Sequence, residues 1–297
     1  MVKNRNIRFA ALSFIAATLL AGNAATDTPV RDKDGYDAAW YNMPVNTPQN
    51  THFDFKLKGY VFGLRMITAQ YEGVIENGQY TVRSTLKTSG LAALLKKLKI
   101  WAITEGQYNQ NGLRPLTHTQ QNLDKKNRRV EMAYDNNIRR VSVAINPPIG
   151  SQGIPPASPQ ERFEAHDTLS AILNIMMRQP QNNIGHINAP LCEGDVKVFD
   201  SKQHYALRMV KGENELKKVF GKKTDVLNCS VYYVPISGFD PEDLPEKKET
   251  DTPVKVQLVK NDALDMYVPV RLSYKISGFT AVIKVSDMHV NGRSLKK

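Results

Sequence analysis

The chain has 297 residues, 41% of them hydrophobic and 23% charged, and a formal net charge of +11. That length allows one sizeable core, in one large domain or two small ones, and the positive excess points to anionic rather than cationic partners. No apolar stretch reaches the roughly 20 residues that cross a bilayer, so the sequence argues against a permanent membrane anchor.

Lys3, Arg5 and Arg8 precede the apolar run from Phe9 to Leu20, and Ala21-Gly22-Asn23-Ala24 supplies small residues where a signal peptidase reads. This is the export pattern, with cleavage expected after Ala24. The leader carries three positive charges and no acid, leaving +8 on the mature chain. Neither cysteine stands at the cleavage point, as a lipid anchor would require. Residues 25–50 are polar, with Pro29, Pro44 and Pro48, and read as an arm preceding a single β-rich domain over 51–297.

From Thr51 the dominant period is two. Phe53, Phe55 and Leu57 alternate with Asp54, Lys56 and Lys58, and Tyr60, Phe62, Leu64 and Met66 follow at the same spacing. A turn at Asn77-Gly78 separates these from Tyr80, Val82, Ser84 and Leu86. Leu91, Leu94, Leu95 and Leu98 then fall at helical spacing with Lys96, Lys97 and Lys99 around them, which predicts a short amphipathic helix over 90–98.

Strand patterns resume at 101–108, 116–122, 129–134 and 139–146, separated by Asn111-Gly112 and Asp135-Asn136-Asn137, and read as a β meander. Residues 150–159 are rich in Gly, Pro and Ser and read as a loop. Asp167 is placed to cap a helix over 168–178, whose Leu169, Ile172, Leu173, Met176 and Met177 form one apolar face. Further strands fall at 196–199, 205–210, 228–236, 254–259, 268–276 and 280–285, with 242–251 as an exposed charged loop. The expected fold is mainly β: a curved antiparallel sheet, a half-barrel or spiral, wrapped around one helix, with the short amphipathic helix beside it.

Cys192 and Cys229 are the only cysteines. In an oxidising compartment the pair is expected to close a disulfide worth about 4 kcal/mol by chain entropy. A redox or metal pair is the alternative, but there is no Cys-x-x-Cys and no histidine cluster beside them. Ser84-Thr85-Leu86-Lys87 matches a Ser-x-x-Lys catalytic pattern, yet on a strand Ser84 and Lys87 point to opposite faces. The six histidines, at 52, 118, 166, 186, 204 and 289, are scattered singly, and His166 reads as the residue before a helix cap. No nucleophile elbow, phosphate loop or metal motif is present in the sequence, so no enzyme, cofactor or metal site is expected.

The second half resembles a known family through His166-Asp167-Thr168-Leu169-Ser170-Ala171-Ile172-Leu173, Cys192, the stretch Val198-Phe199-Asp200-Ser201-Lys202-Gln203-His204-Tyr205, and Cys229 ahead of Tyr232-Tyr233-Val234-Pro235-Ile236-Ser237-Gly238-Phe239. Gly59, Ser89-Gly90-Leu91 and Asn111-Gly112-Leu113-Arg114-Pro115 extend the likeness through the first half. In this order they resemble the exported bacterial family of domain of unknown function 3108. Where that family has Asp-Pro-Leu-Ser at the helix start, this chain has Asp167-Thr168-Leu169-Ser170. The resemblance implies an envelope β protein and carries no catalytic residue.

Two functional expectations follow for a periplasmic protein. One is a binding module that holds a lipid or amphipathic ligand in the concave face, with Tyr60, Phe62 and Met66 as lining and Lys96 and Lys97 drawing an anionic headgroup. The other is an envelope-integrity protein that docks a partner or wall polymer without a pocket. Export makes nucleic acid an unsuitable partner for the basic clusters.

Overall fold

The period-two stretches form strands, and the turn residues between them make each neighbouring pair antiparallel. In a computed structural model of the protein, the described residues are 51–90, 92–95, 97–109, 112–124, 127–179, 187–276 and 278–294. The expected leader, the arm, Lys96 and His186 lie outside them. The first meander runs β1 (Thr51–Val61), β2 (Leu64–Glu76), β3 (Gln79–Thr88), β4 (Lys99–Asn109), β5 (Gly112–Asn122), β6 (Arg129–Asp135) and β7 (Arg140–Asn146), with the helical turn α1 (Ala92–Leu95) between β3 and β4.

Next come α2 (Pro159–Glu164), α3 (Thr168–Met177) and the small parallel pair β8 (Arg178–Gln179) and β9 (Ile187–Pro190). A second meander follows: β10 (Gly194–Phe199), β11 (His204–Val219), β12 (Lys222–Ser237), the helical turn α4 (Lys247–Asp251), β13 (Val254–Asn261), β14 (Met266–Ile276), β15 (Phe279–Val290) and the short β16 (Arg293–Ser294).

The two meanders become one fourteen-stranded sheet because β15 pairs with β1, bringing Phe55 opposite Met288 and Phe53 opposite Val290. The free edges are therefore β7 and β10. The sheet does not close into a barrel. The chain between those edges crosses the opening instead, with α2 against β7 and His166 pairing in parallel with Val198 of β10. Two backbone hydrogen bonds make that bridge, His166 N–H to Lys197 O at 3.0 Å and Phe199 N–H to His166 O at 2.8 Å.

Ser158 and Glu161 form a capping box that starts α2, and Phe163 buries itself with Val130, Met132, Tyr134, Val141 and Phe199. The guanidinium groups of Arg114 and Arg139 lie 4.9 and 5.3 Å from the Phe163 ring centre. The sequence predicts a loop over 150–159 and no helix here. Its strongest cue, Ser-x-x-Glu at 158–161, is the capping signature.

The expected wrap around one helix is the observed architecture. Leu169, Leu173, Met176 and Met177 of α3 pack with Phe53, Phe55, Tyr71, Tyr80 and Met288, while Ala171 and Ile175 pack with the second meander. Two elements differ from expectation. The amphipathic helix over 90–98 is only the single turn α1, with Leu94 83% exposed and Leu98 packed on Ile67, Leu86 and Ile100. The hairpin of β11 and β12 is far longer than its apolar parts suggested, because its outer portion, from Lys211 to Asp225, is charged and largely exposed.

The Cys192–Cys229 bond joins the segment before β10 to β12, with Cα atoms 5.6 Å apart and both residues buried. Thiol titration of the denatured, unreduced protein is expected to find no free thiol, and Cys229→Ala to lower unfolding stability by up to about 4 kcal/mol. Two titratable thiols would contradict the pairing.

Candidate functional site

The inner face of the sheet is polar at one end of α3 and apolar beyond it. Position N-cap belongs to Asp167, wholly buried. Its Oδ1 accepts from the Leu169 and Ser170 backbone N–H groups at 2.9 and 3.2 Å and from the Thr104 hydroxyl at 2.7 Å, and lies 3.1 Å from His118 Nδ1. Oδ2 accepts the Ser170 hydroxyl at 2.5 Å. With that proton committed, Ser170 Oγ accepts from the Tyr80 hydroxyl at 2.8 Å. The Tyr71 hydroxyl donates to the Leu169 carbonyl at 3.0 Å.

Burial by itself would push the Asp167 carboxyl up, but the His118 charge and hydrogen bond, with those of Ser170 and Thr104, hold it down to about 2. On the other side of the cap, burial drives the His166 imidazole down to about 4, so the ring is neutral and its Nε2 accepts from Asn174 Nδ2 at 3.2 Å. Asn174 Oδ1 in turn accepts from Arg178 Nε at 3.0 Å, and Arg178 reaches the Glu193 carbonyl at 2.8 Å. Serine, carboxylate and histidine are thus together, but the carboxylate lies between the other two. The imidazole is not placed to take the serine proton, and the group works as a helix anchor.

Beyond that anchor lies a cavity of about 170 Å³ between α3 and the concave faces of both meanders. Leu57, Ala69, Leu86 and Ile100 form its first-meander wall, Ile172 and Ile175 belong to α3, and Tyr205, Tyr233, Val256 and Leu272 lie on the second. No Asp, Glu, Lys, Arg or His lines it. The pair Leu86 and Ile100 directly precedes the β3–β4 connection, so the cavity extends toward the end of the sheet that carries α1. A second, open groove of about 490 Å³ lies on the convex face, lined by Lys56, Lys58, Lys87, Thr68, Gln70 and Asp287 among others.

The cavity lining is not the one read from the sequence. Alternation along β1 turns Phe53, Phe55 and Leu57 inward, and Tyr60 therefore falls on the convex face with Lys56 and Lys58. Phe62 lies in the two-residue turn with Gly63 and is 74% exposed. Met66 is the extra residue of a β-bulge opposite Gly59 and Tyr60, and packs on the Ile67, Leu86 and Ile100 cluster at the edge of the cavity. Lys97 is exposed at the α1 end, and Lys96 is outside the described residues. The parity change between Leu57 and Tyr60 was the available signal, because apolar residues moving from odd to even positions switch faces.

Sequence reading also missed that His118 serves Asp167. The inward residues of β5 include His118, Gln120 and Asn122, so an apolar-in pattern could not orient that strand. Ser84 lines the cavity and Lys87 the convex groove, which places them on opposite faces as the strand reading required. Among the described residues no group of three or more His, Cys, Asp or Glu could hold a metal ion, and no helix is long and apolar enough to cross a membrane.

No family model matches the chain and no curated protein matches it, so the resemblance to the family of domain of unknown function 3108 stands on the quoted residues alone. Solved structures similar to this chain include two examples. One is a β-barrel-like protein of domain of unknown function 1849 from Brucella abortus, at 12% identity and a TM-score of 0.44, covering 82% of this chain and 98% of that one. The other is a putative lipoprotein from Parabacteroides distasonis, at 11% identity and a TM-score of 0.28, covering 82% and 96%. Likeness at that level carries no functional argument.

The anchor's titration sets an acid limit. The His166 pKa is depressed from its ordinary 6.5 to about 4, so the unfolded chain binds the proton more tightly and stability falls as pH drops through that window. Asp167 is depressed from 3.8 to about 2, so its contribution is present above about 4 and lost as pH falls toward 2. The Asp200 carboxyl, raised by burial to about 6, acts oppositely between 6 and 4. In thermal unfolding from pH 8 to 2 the His166 loss, about 3 kcal/mol, is offset by an Asp200 gain of about 3 kcal/mol over nearly the same window, while the Asp167 loss, about 2 kcal/mol, falls below pH 4. Relative to wild type, His166→Gln should therefore gain stability as pH falls from 6 to 4, and Asp167→Asn should lose less below 4. Unchanged pH profiles in both variants would contradict these assignments.

Proposed function

We propose that the protein is an exported envelope binding protein that holds the apolar part of an amphipathic molecule, such as a lipid, in the cavity beside α3. The observation that carries this is a lining without a single charged side chain. Such a wall offers a ligand apolar burial at about 25 cal/mol per Å² and little polar recognition. A cavity of 170 Å³ suits a ring or a short stretch of acyl chain and lies below the roughly 300 Å³ at which drug-sized sites begin, so the polar remainder of a ligand stays outside. Lys97 is exposed at the α1 end, and an anionic headgroup emerging past Met66 and Leu98 would meet its charge there. Export is supported by the amino-terminal pattern and agrees with the disulfide, since bonded cysteines persist in oxidising compartments.

Cis-parinaric acid, a fluorescent fatty acid, is the direct probe. It should bind saturably, and Ala69→Phe, which fills the cavity between Leu57 and Leu86, should weaken binding at least tenfold without lowering the melting temperature. Absence of saturable binding, or the same affinity in that variant, would overturn the reading.

A further inference from the structure

The turns at the α1 end of the sheet share two properties. They carry exposed apolar side chains, and they are strongly basic. Phe62 and Leu64 flank the β1–β2 turn at 74% and 51% exposure, Leu94 of α1 is 83% exposed, and Leu123 after β5 is 42% exposed. These turns are neighbours along one rim. The Phe62 ring lies 4.9 Å from Phe279 of the β14–β15 hairpin, Ser89 N–H bonds Met66 O at 2.8 Å, and Leu123 N–H bonds Lys99 O at 2.7 Å. Among the described residues, segments 58–67, 87–99, 121–128 and 274–280 hold seven lysines and arginines, at 58, 65, 87, 97, 99, 128 and 275, against one acid, Asp124.

Phe62 is the sharpest of these features. Its φ is +50°, a left-handed conformation that suits Asn or Gly and strains a bulky aromatic. The same chain places Asn77 and Asn291 before glycine in turns of this kind. At the matching Phe220-Gly221 turn the phenyl group packs on the main core, which accounts for it. Phe62 has no such return: neither the backbone nor the interior favours it. An exposed aromatic and leucines within a field of lysine and arginine suit a surface that is apolar beneath and anionic above.

From this juxtaposition we infer that the rim formed by the β1–β2, β3–β4, β5–β6 and β14–β15 turns docks on the surface of a lipid bilayer bearing anionic headgroups. Phe62, Leu64 and Leu94 enter the headgroup boundary while the surrounding basic residues meet lipid phosphates. The convex groove at Lys56, Lys58 and Lys87 continues the basic surface away from the rim. Docking does not depend on the cavity reading, since a protein with its cavity filled retains the rim.

Co-sedimentation of the mature protein with vesicles of phosphatidylethanolamine and phosphatidylglycerol, against phosphatidylcholine vesicles, tests it. Binding is expected to the anionic vesicles and to fall at least tenfold in 0.5 M salt, as screening of exposed charges requires. Phe62→Asn, which restores a favoured turn residue, combined with Leu94→Ser should reduce binding at least tenfold, as should Arg65→Glu with Lys97→Glu. Leu216→Ser, 70% exposed on β11, should not, and Ala69→Phe should bind vesicles normally even where it loses the fatty acid. Thermal melts confirm that each variant folds. Any of four results overturns the inference: no anionic vesicle binding, equal binding to phosphatidylcholine, indifference to the rim variants, or concentration-dependent dimerisation through Phe62 in place of vesicle binding.

Discussion

Two consecutive residues close this fold. The His166 backbone pairs with β10, one free edge of the sheet, while the Asp167 side chain reaches Thr104 on β4 and His118 on β5, in the other meander. An open sheet of fourteen strands has two edges to protect, and its curvature is set by whatever holds those edges at a fixed distance. Here that link is a carboxylate with five polar neighbours, and it is also the cap of the one helix inside the trough. Removing the charge would unsatisfy the first turn of α3 and uncouple the helix from the strands together, which is why a polar knot is tolerated at the centre of an apolar core.

That arrangement explains why the interior has two kinds of surface. Around Asp167 the inward residues of β4 and β5 are Thr104 and His118, both buried, because a charged helix cap in a dry interior must be answered by side-chain donors. Away from it the inward positions are Leu57, Leu86, Ile100 and Leu272, which answer nothing and serve only to exclude water. The charged and hydrogen-bonding groups are thus used to build the protein, and the cavity wall is left apolar.

The general architecture was legible because alternation, Asn-Gly turns and the capped helical stripe at 167–177 are local signals, each within about a dozen residues. What failed was non-local or sat against its local pattern. Phe62-Gly63 is a tight turn with an aromatic where Asn is usual, so Tyr60, Phe62 and Met66 read as an inward strand face. The outer part of the β11–β12 hairpin pairs along its length but buries almost nothing, and a strand that buries nothing leaves no hydrophobic period. His118 and Asp167 are 49 positions apart, and nothing in either neighbourhood foretells that β5 will present polar residues inward. The site therefore appeared in the sequence as a list of inward apolar residues with the wrong parity, one strand residue away from the true lining.

Length accounts for the cavity. At about 1.5 Å per residue the ten residues of α3 extend about 15 Å, whereas eleven-residue strands such as β1 and β4 run about 36 Å. A helix pinned at the Asp167 end cannot cover a trough more than twice its length, even after allowance for strand tilt. The uncovered portion must collapse, fill with water or be plugged. Collapse is opposed by the hydrogen-bonded sheet and by the disulfide across β12; filling with water is opposed by an apolar lining. Plugging is seen in part: the bulge at Met66 and the return of Leu98 cover Ile67, Leu86 and Ile100 at the far end. Among the described residues no further side chain intrudes between plug and helix, and the gap stays open because Ala69 bounds it on one side and Ala171 on the other, where larger residues would have closed it.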